Sequence, residues 1–418
     1  MITLAEGARD HPGDPALALA LGQLLSDLGR HEPARQVLAA GLRARPDHLE
    51  LRGLYAAELA ATLETEAALK ELRTLLVLVP GQSLIHANIG VLLQTLGHAA
   101  DALHHYRRAV ALDPANPVAR VNLATVLMTL GRYEEGFAEY EHRLALPGVR
   151  QPPAGLPRWQ GGEDAQRLLV TSEQGFGDIL QFARFLPLLA ARAREIWLEC
   201  PAGMKRLFAD LPGLTGILGP GDAIPKIDRV APLLSLPHLL ETGADLLADS
   251  VPYIRVPAEG PALPPDRRPR IGLAWSGRPG AGDLFIRKTL QRRSCRIEDL
   301  APLWNLEDFC WIGLQLGEAM PPQIADLSPL IKDFADTAVL MSQLDLMISI
   351  DSAPAHLAGA LGVPLWVMLG PGQADYRWGG IGGLSPWYPK ARLFRASRAG
   401  WPALAADIAA ALEEEPFA

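Results

Sequence analysis

From position 15 to position 148 small, apolar and glycine positions recur at a fixed interval of 34 residues, a period that predicts helical hairpins used four times. Glycine stands at 29, 97 and 131, with Leu63 at the remaining turn position. Counted from Pro15, Leu49, Ser83 and Pro117, the eighth position is always small: Gly22, Ala56, Gly90 and Ala124. The twentieth reads Ala34, Ala68, Ala102 and Gly136, and the twenty-fourth reads Leu38, Leu72, Tyr106 and Tyr140, so small faces large across each hairpin. Pro46, Pro80 and Pro114 close three of the repeats, where the missing N–H and fixed φ stop the second helix. The four segments are 15–48, 49–82, 83–116 and 117–150.

The third segment, "NIGVLLQTLGHAADALHHYRRAVALDP", resembles the tetratricopeptide repeat. Stacked helix pairs of this kind make an extended concave surface that holds a peptide or a protein domain. The alternative is that the repeats only solubilise or dimerise the chain. His86, His104 and His105 fall on repeat helices and read as packed or solvated side chains rather than metal ligands.

Beyond Gln151 the periodicity breaks at the Pro/Gly-rich linker "QPPAGLPRWQGG". A short apolar run over Leu168–Thr171, a helical pattern over Ile179–Arg192 and a second run over Glu195–Glu199 predict a βαβ unit. After a Pro-rich stretch from Val256 to Pro269, further strands are predicted at Ile271–Trp275, Phe309–Gln315, Leu346–Ser349 and Val363–Leu369. The expected layout is thus repeats over 1–150, a first α/β lobe over 151–258 and a second over 259–418. Ligands of such sheets bind outside the carboxyl ends of the strands.

Composition narrows the classes. A hydrophobic content of 49% with 21% charged residues is ordinary for globular cores, and a formal net charge of -8 argues against a general nucleic-acid binder while leaving room for a local basic patch. Apolar stretches such as Leu361–Leu369 stop well short of the ~18 residues of a membrane span. Met1–Asp14 lacks the basic and apolar regions of a secretory signal, so the cytoplasm is the expected compartment. Cys200, Cys295 and Cys310 match neither a metal knuckle nor a redox pair.

Two segments concentrate chemistry. In "TSEQGFGDILQF", Gly175 and Gly177 occupy a strand-to-helix turn where backbone N–H groups can approach a ligand, and Asp178 follows at the first helical turn. In "SIDSAPAHLAG", Asp351 and Ser352 open a helix with His356 one turn on. Helix capping is the plainer reading of Asp178, Asp351 and Ser352. Tyr376, Trp378, Trp387 and Tyr388 either line the cleft or pack under the last helix.

Together "EQGFGDILQFARFLPLL", "IGLAWSG", "LDLMISIDSAPAHLAGALGVPLW" and "SPWYPKARLFR" resemble the heptosyltransferase-like glycosyltransferases of family 9 and their tetratricopeptide-fused relatives, over roughly residues 168–401. The layout is also similar to that of the O-linked N-acetylglucosamine transferases. The resemblance implies a GT-B fold of two Rossmann-like lobes and inverting sugar transfer from a nucleotide sugar to a hydroxyl, with no metal or other cofactor. It implies Asp178, beside Gly177, as general base, and Asp351, Ser352 and His356 as the donor-holding element. For the basic contact to the diphosphate it points to Arg293, with Lys288 and Arg292 as rivals. Gln315, in "GLQLG", falls in the nucleotide-side loop. A protein acceptor presented by the repeats is expected, bacterial flagellin being one candidate. The competing reading is an inactive scaffold, against which the joint presence of Asp178, Asp351 and His356 argues.

Overall fold

Seven helices follow the 34-residue register: α1 (Pro15–Asp27), α2 (His31–Ala44), α3 (Leu49–Ala61), α4 (Thr65–Leu78), α5 (Ser83–Thr95), α6 (Ala99–Leu112) and α7 (Pro117–Thr129). The computed structural model describes residues 11, 13–62, 64–162, 165–243, 251–277, 293–371, 375–379, 385–397 and 399–414; Leu63, Lys288 and Arg292 lie outside them. Sequence chemistry sets the ends of the helices. Asp14 and Asn116 accept backbone N–H bonds at the starts of α1 and α7, each ahead of a proline in the first turn. Gly29 and Gly97 adopt positive φ of 72° and 83°. Arg30 N–H then reaches Leu25 C=O and His98 N–H reaches Leu93 C=O, both at 2.8 Å, closing the helix ends in the left-handed manner that favours glycine.

Small does face large across the hairpins. A Cβ built on Gly22 would stand 2.5 Å from Leu38 Cδ2, and one on Gly90 would stand 2.6 Å from Tyr106 Cε1. The main apolar cluster of this region joins Ala56, Leu72, Ile89, Ala102, Tyr106 and Leu123.

The chain divides into two compact units, Met1–Leu130 and Gly131–Ala418. The division falls inside the fourth 34-residue segment, so α8 (Tyr133–Tyr140) belongs to the second unit.

The second unit holds two sheets in which every neighbouring pair of strands is parallel. The first contains β1 (Ala165–Thr171), β2 (Ala193–Glu199), β3 (Gly216–Leu218) and β4 (Arg229–Pro232), in the order β3-β2-β1-β4. The second contains β5 (Arg270–Ala274), β6 (Cys310–Gly313), β7 (Ala325–Asp326), β8 (Leu346–Ile350), β9 (Leu365–Leu369) and β10 (Ala391–Arg395), in the order β10-β9-β8-β5-β6-β7. Central strands β8 and β9 are buried at every residue, as continuous apolar runs in a parallel sheet should be. Four of the ten strands among the described residues, β3, β4, β7 and β10, escape the sequence reading. Three have two to four residues, and β10 begins and ends near arginine with only part of its length buried.

The single helix expected over Ile179–Arg192 is instead α9 (Phe176–Phe182) followed by a 3-10 stretch, Ala183–Ala191, that contains Pro187. Proline cannot donate to the helical ladder and crowds the preceding turn, which accounts for the change. Among the described residues the remaining α-helices are α10 (Leu236–Leu239), α11 (Ala301–Trp304), α12 (Phe334–Met341), α13 (Ala353–Leu361) and α14 (Trp401–Glu414). Leu404, Ile408 and Leu412 of α14 join Ile271, Trp311, Ile348 and Trp366 in the core against one face of the second sheet.

Candidate active site at the strand ends

The chemistry-bearing residues gather where the strands of both sheets end. Asp178 stands in the first turn of α9, after β1, while Asp351, Ser352 and His356 open α13, after β8. The two helices touch: a Cβ on Gly177 would lie 2.8 Å from His356 Cδ2. Glycine at 177 is thus required by the close approach of the imidazole. Gly175 is the exposed cap position of α9, with no side chain to bond the first N–H groups.

The expected side-chain capping gives way to ion pairing. Ser352 occupies the cap position of α13 without a side-chain cap bond; its hydroxyl lies 3.3 Å from Ile350 C=O and from Ser349 Oγ. Asp351 pairs with Arg293 at 2.9 Å, and Arg293 also stands 3.6 Å from Asp375. Asp178 Oδ1 pairs with Arg377 Nη2 at 2.5 Å, and Arg377 Nη1 reaches Asp375 at 3.1 Å. Carboxylates and guanidiniums therefore alternate from Asp178 through Arg377, Asp375 and Arg293 to Asp351, which lies 3.8 Å from His356 Nε2.

Burial and the neighbouring guanidiniums shift these groups in different directions. Desolvation, reinforced by the Arg377 guanidinium, pushes the His356 imidazole well below its ordinary value, so the ring is neutral. Its Nδ1 lies 3.0 Å from Tyr388 Oη, and the ring stacks on Trp378 with centroids 5.3 Å apart. Burial raises the Asp351 carboxyl against the opposing pull of Arg293. At Asp375 burial also pushes upward, but Arg377 and Arg293 outweigh it and hold the carboxyl below its ordinary value.

Gln315 has a structural contact of its own. Its Oε1 accepts the backbone N–H groups of Trp275 and Ser276 at 3.2 and 3.1 Å, so the buried amide holds the loop that leaves β5. The aromatic residues are buried around the site rather than beneath α14. Trp387 meets Tyr133 and Phe137 of α8 and Phe182 of α9, and Arg184 lies over the rings of Tyr253, Trp387 and Tyr388. Sequence reasoning missed Asp375 and Arg377, which flank Tyr376 in "ADYRWGG". The signal available was an acid and a base beside aromatic residues shortly after a buried strand.

The tetratricopeptide repeat family matches residues 3–58 and 93–139. The N-terminal region is therefore built of tetratricopeptide repeats. Protein FlbA of Caulobacter vibrioides (strain ATCC 19089 / CIP 103742 / CB 15) is 26% identical over 321 residues, which make up 65% of this chain and 49% of FlbA. The chain thus spans about half the length of that relative. Among solved structures, a crystal structure of MamA shares 16% identity over 34% of this chain and 83% of its own, with a TM-score of 0.32. MamA 41-end from Desulfovibrio magneticus RS-1 shares 23% identity over 33% and 77%, with a TM-score of 0.30. Among the described residues no helix is long and apolar enough to cross a membrane, and no group of three or more histidine, cysteine or acidic side chains could hold a metal ion.

Proposed function

We propose that the α/β unit is a GT-B glycosyltransferase that moves a sugar from a nucleotide sugar to a hydroxyl, with the tetratricopeptide repeats binding the protein that carries or accompanies the acceptor. The observation that carries this reading is the meeting of two strand-end elements from separate parallel sheets, Gly177–Asp178 and Asp351–His356, with Gly177 against the His356 ring. Crevices at such strand ends are where α/β sheets take their ligands.

In the reaction the acceptor oxygen attacks the anomeric carbon from the face opposite the leaving group. Asp178 takes the hydroxyl proton, the bond between the anomeric carbon and the diphosphate oxygen breaks, and the nucleoside diphosphate departs with the electron pair. The configuration inverts because a single displacement occurs. Arg293 stabilises the charge that develops on the diphosphate. Ser352 offers its hydroxyl at the start of α13, where the helix terminus favours anions. His356, buried and neutral, sets the position of Gly177 and Asp351.

A scaffold reading has its own support in the ion pairing of the network, in which Asp178 and Asp351 each have a guanidinium partner. One experiment separates the two readings. The purified chain is heated with a panel of nucleotide sugars and their nucleoside diphosphates, and transfer is followed by diphosphate release with candidate protein acceptors, flagellin among them. An enzyme shows a raised Tm with one nucleotide family and acceptor-dependent release. A chain whose Tm no nucleotide moves, and which releases no diphosphate, is a scaffold.

A further inference from the structure

We infer that Arg377 is the positioning residue of this site, a three-way fork that aims the Asp178 carboxylate at the acceptor hydroxyl. The inference rests on the glycosyltransferase reading and deepens it. Arg377 lies after β9 of the second sheet, yet its side chain reaches α9, which follows β1 of the first. Each guanidinium nitrogen has its own partner: Nη2 meets Asp178 Oδ1 at 2.5 Å, Nε donates to Gln181 Oε1 at 2.6 Å, and Nη1 meets Asp375 Oδ2 at 3.1 Å. Asp178 and Gln181 are three residues apart, so they share one face of α9.

A planar guanidinium makes this arrangement directional. Once Nε and Nη1 are engaged, the line along which Nη2 points is fixed, and with it the place where Oδ1 must sit. The fork is itself held. The Arg377 backbone N–H donates to Asp375 Oδ1 at 2.9 Å, Ser385 Oγ donates to the Arg377 carbonyl at 2.7 Å, and the guanidinium carbon lies 4.4 Å from the Tyr376 ring centroid. Only Oδ1 of Asp178 is engaged by Arg377, and the Asp178 side chain keeps 22% exposure, which leaves Oδ2 to take the acceptor proton. Asp375 carries the connection on to Arg293 and so to Asp351, tying the base in one half of the unit to the donor side in the other.

The expected signature is a loss of turnover with donor binding kept, because orientation and not affinity is at stake. The test is a double-mutant cycle in single-turnover transfer at saturating donor and acceptor. Arg377→Lys supplies the charge but one contact in place of three, and is expected to lower kcat by about 10- to 100-fold with donor KM within about threefold. In an Asp178→Asn background the same substitution adds less than about twofold, because the carboxylate it aims is gone. Arg377→Gly regains turnover when guanidinium ion is supplied, which a purely structural role does not predict. Gln181→Met, which removes one anchor and keeps the Arg377–Asp178 pair, shows a smaller loss of the same kind. The donor-induced rise in Tm confirms that each variant folds. Wild-type kcat in both Arg377→Lys and Gln181→Met, additive losses in the cycle, or a loss confined to donor KM would each overturn the inference. Near wild-type transfer by Asp178→Asn alone removes the base assignment instead, and is read before any Arg377 variant is made.

Discussion

The repeats and the α/β unit treat buried polarity in opposite ways. Among the described residues the repeat unit buries only Glu58, Thr65 and His86 of the polar side chains, in a core of leucine and alanine. The α/β unit buries arginines 143, 184 and 377, acids Glu199, Asp336 and Asp351, and His356. Burying a charge without a partner costs several kcal/mol, so such groups persist only where partners are built around them. Where they stand is informative. In the repeats Glu58 serves as a staple, accepting from Ser26 Oγ at 2.6 Å and meeting His31 at 2.9 Å. In the α/β unit much of the buried charge collects at the carboxyl ends of strands, where a ligand would arrive. One region uses burial for shape; in the other, on the proposed reading, it serves chemistry.

The sharpest way to break that contrast is Asp178→Asn. The variant keeps side-chain size, and if the α/β charges serve chemistry, turnover falls by about 10²-fold or more with the donor-induced Tm rise unchanged. Single-turnover transfer at saturating donor reads it, and a near wild-type rate would leave Asp178 a structural partner of Arg377. In the repeats the large effects should be on stability alone. Leu38 is 0% exposed, and Leu38→Ala is expected to cost about 2–5 kcal/mol in denaturant unfolding, while the nucleotide-dependent readouts of the α/β unit stay as they were.

Two glycine substitutions sharpen the comparison because the local crowding is alike. Gly22→Ala places a methyl 2.5 Å from the flexible end of Leu38, and Gly177→Ala places one 2.8 Å from the His356 ring. Alanine already fills the Gly22 position in the second repeat, at Ala56. Gly22→Ala should therefore shift Tm by a few degrees at most. The His356 ring, stacked on Trp378 and bonded to Tyr388, has little room to yield. Gly177→Ala is expected to lower turnover by about tenfold through displacement of the Asp178 turn.

The smallest effect is a pH dependence confined to the third repeat. His86 and His105 approach at 3.1 Å between Nδ1 atoms. Burial first, with Arg108 and His104 acting on His86, and His86, His104 and Arg73 acting on His105 against Asp101, lowers both imidazoles in the folded chain. A lowered folded value means that the unfolded chain binds protons more readily. The stability is fully present above the unfolded value of about 6.5 and is lost as pH falls from there toward the folded values. Thermal melts from pH 8 to 5 should show this loss shrink in His86→Gln, and an unchanged slope would refute it.

Much of the repeat unit was legible in the chain alone. A 34-residue register of glycine, alanine, leucine and proline determines helix ends, turn conformations and which small residue meets which large one, because all are local or nearest-neighbour matters. Six of the ten strands among the described residues were legible as apolar runs, and the four missed were too short or too polar to signal themselves. The strand-end placement of Asp178, Asp351 and His356 was legible too, from turns that follow buried strands. Tertiary structure alone decided the partners. That Gln315 holds the β5 loop, that Gly177 is glycine because an imidazole 179 positions later lies against it, and that Arg377 crosses from one sheet to a helix beside the other are contacts between distant parts of the chain. Such contacts leave no period in a sequence. They arise only when two sheets pack and bring their strand ends within hydrogen-bond reach.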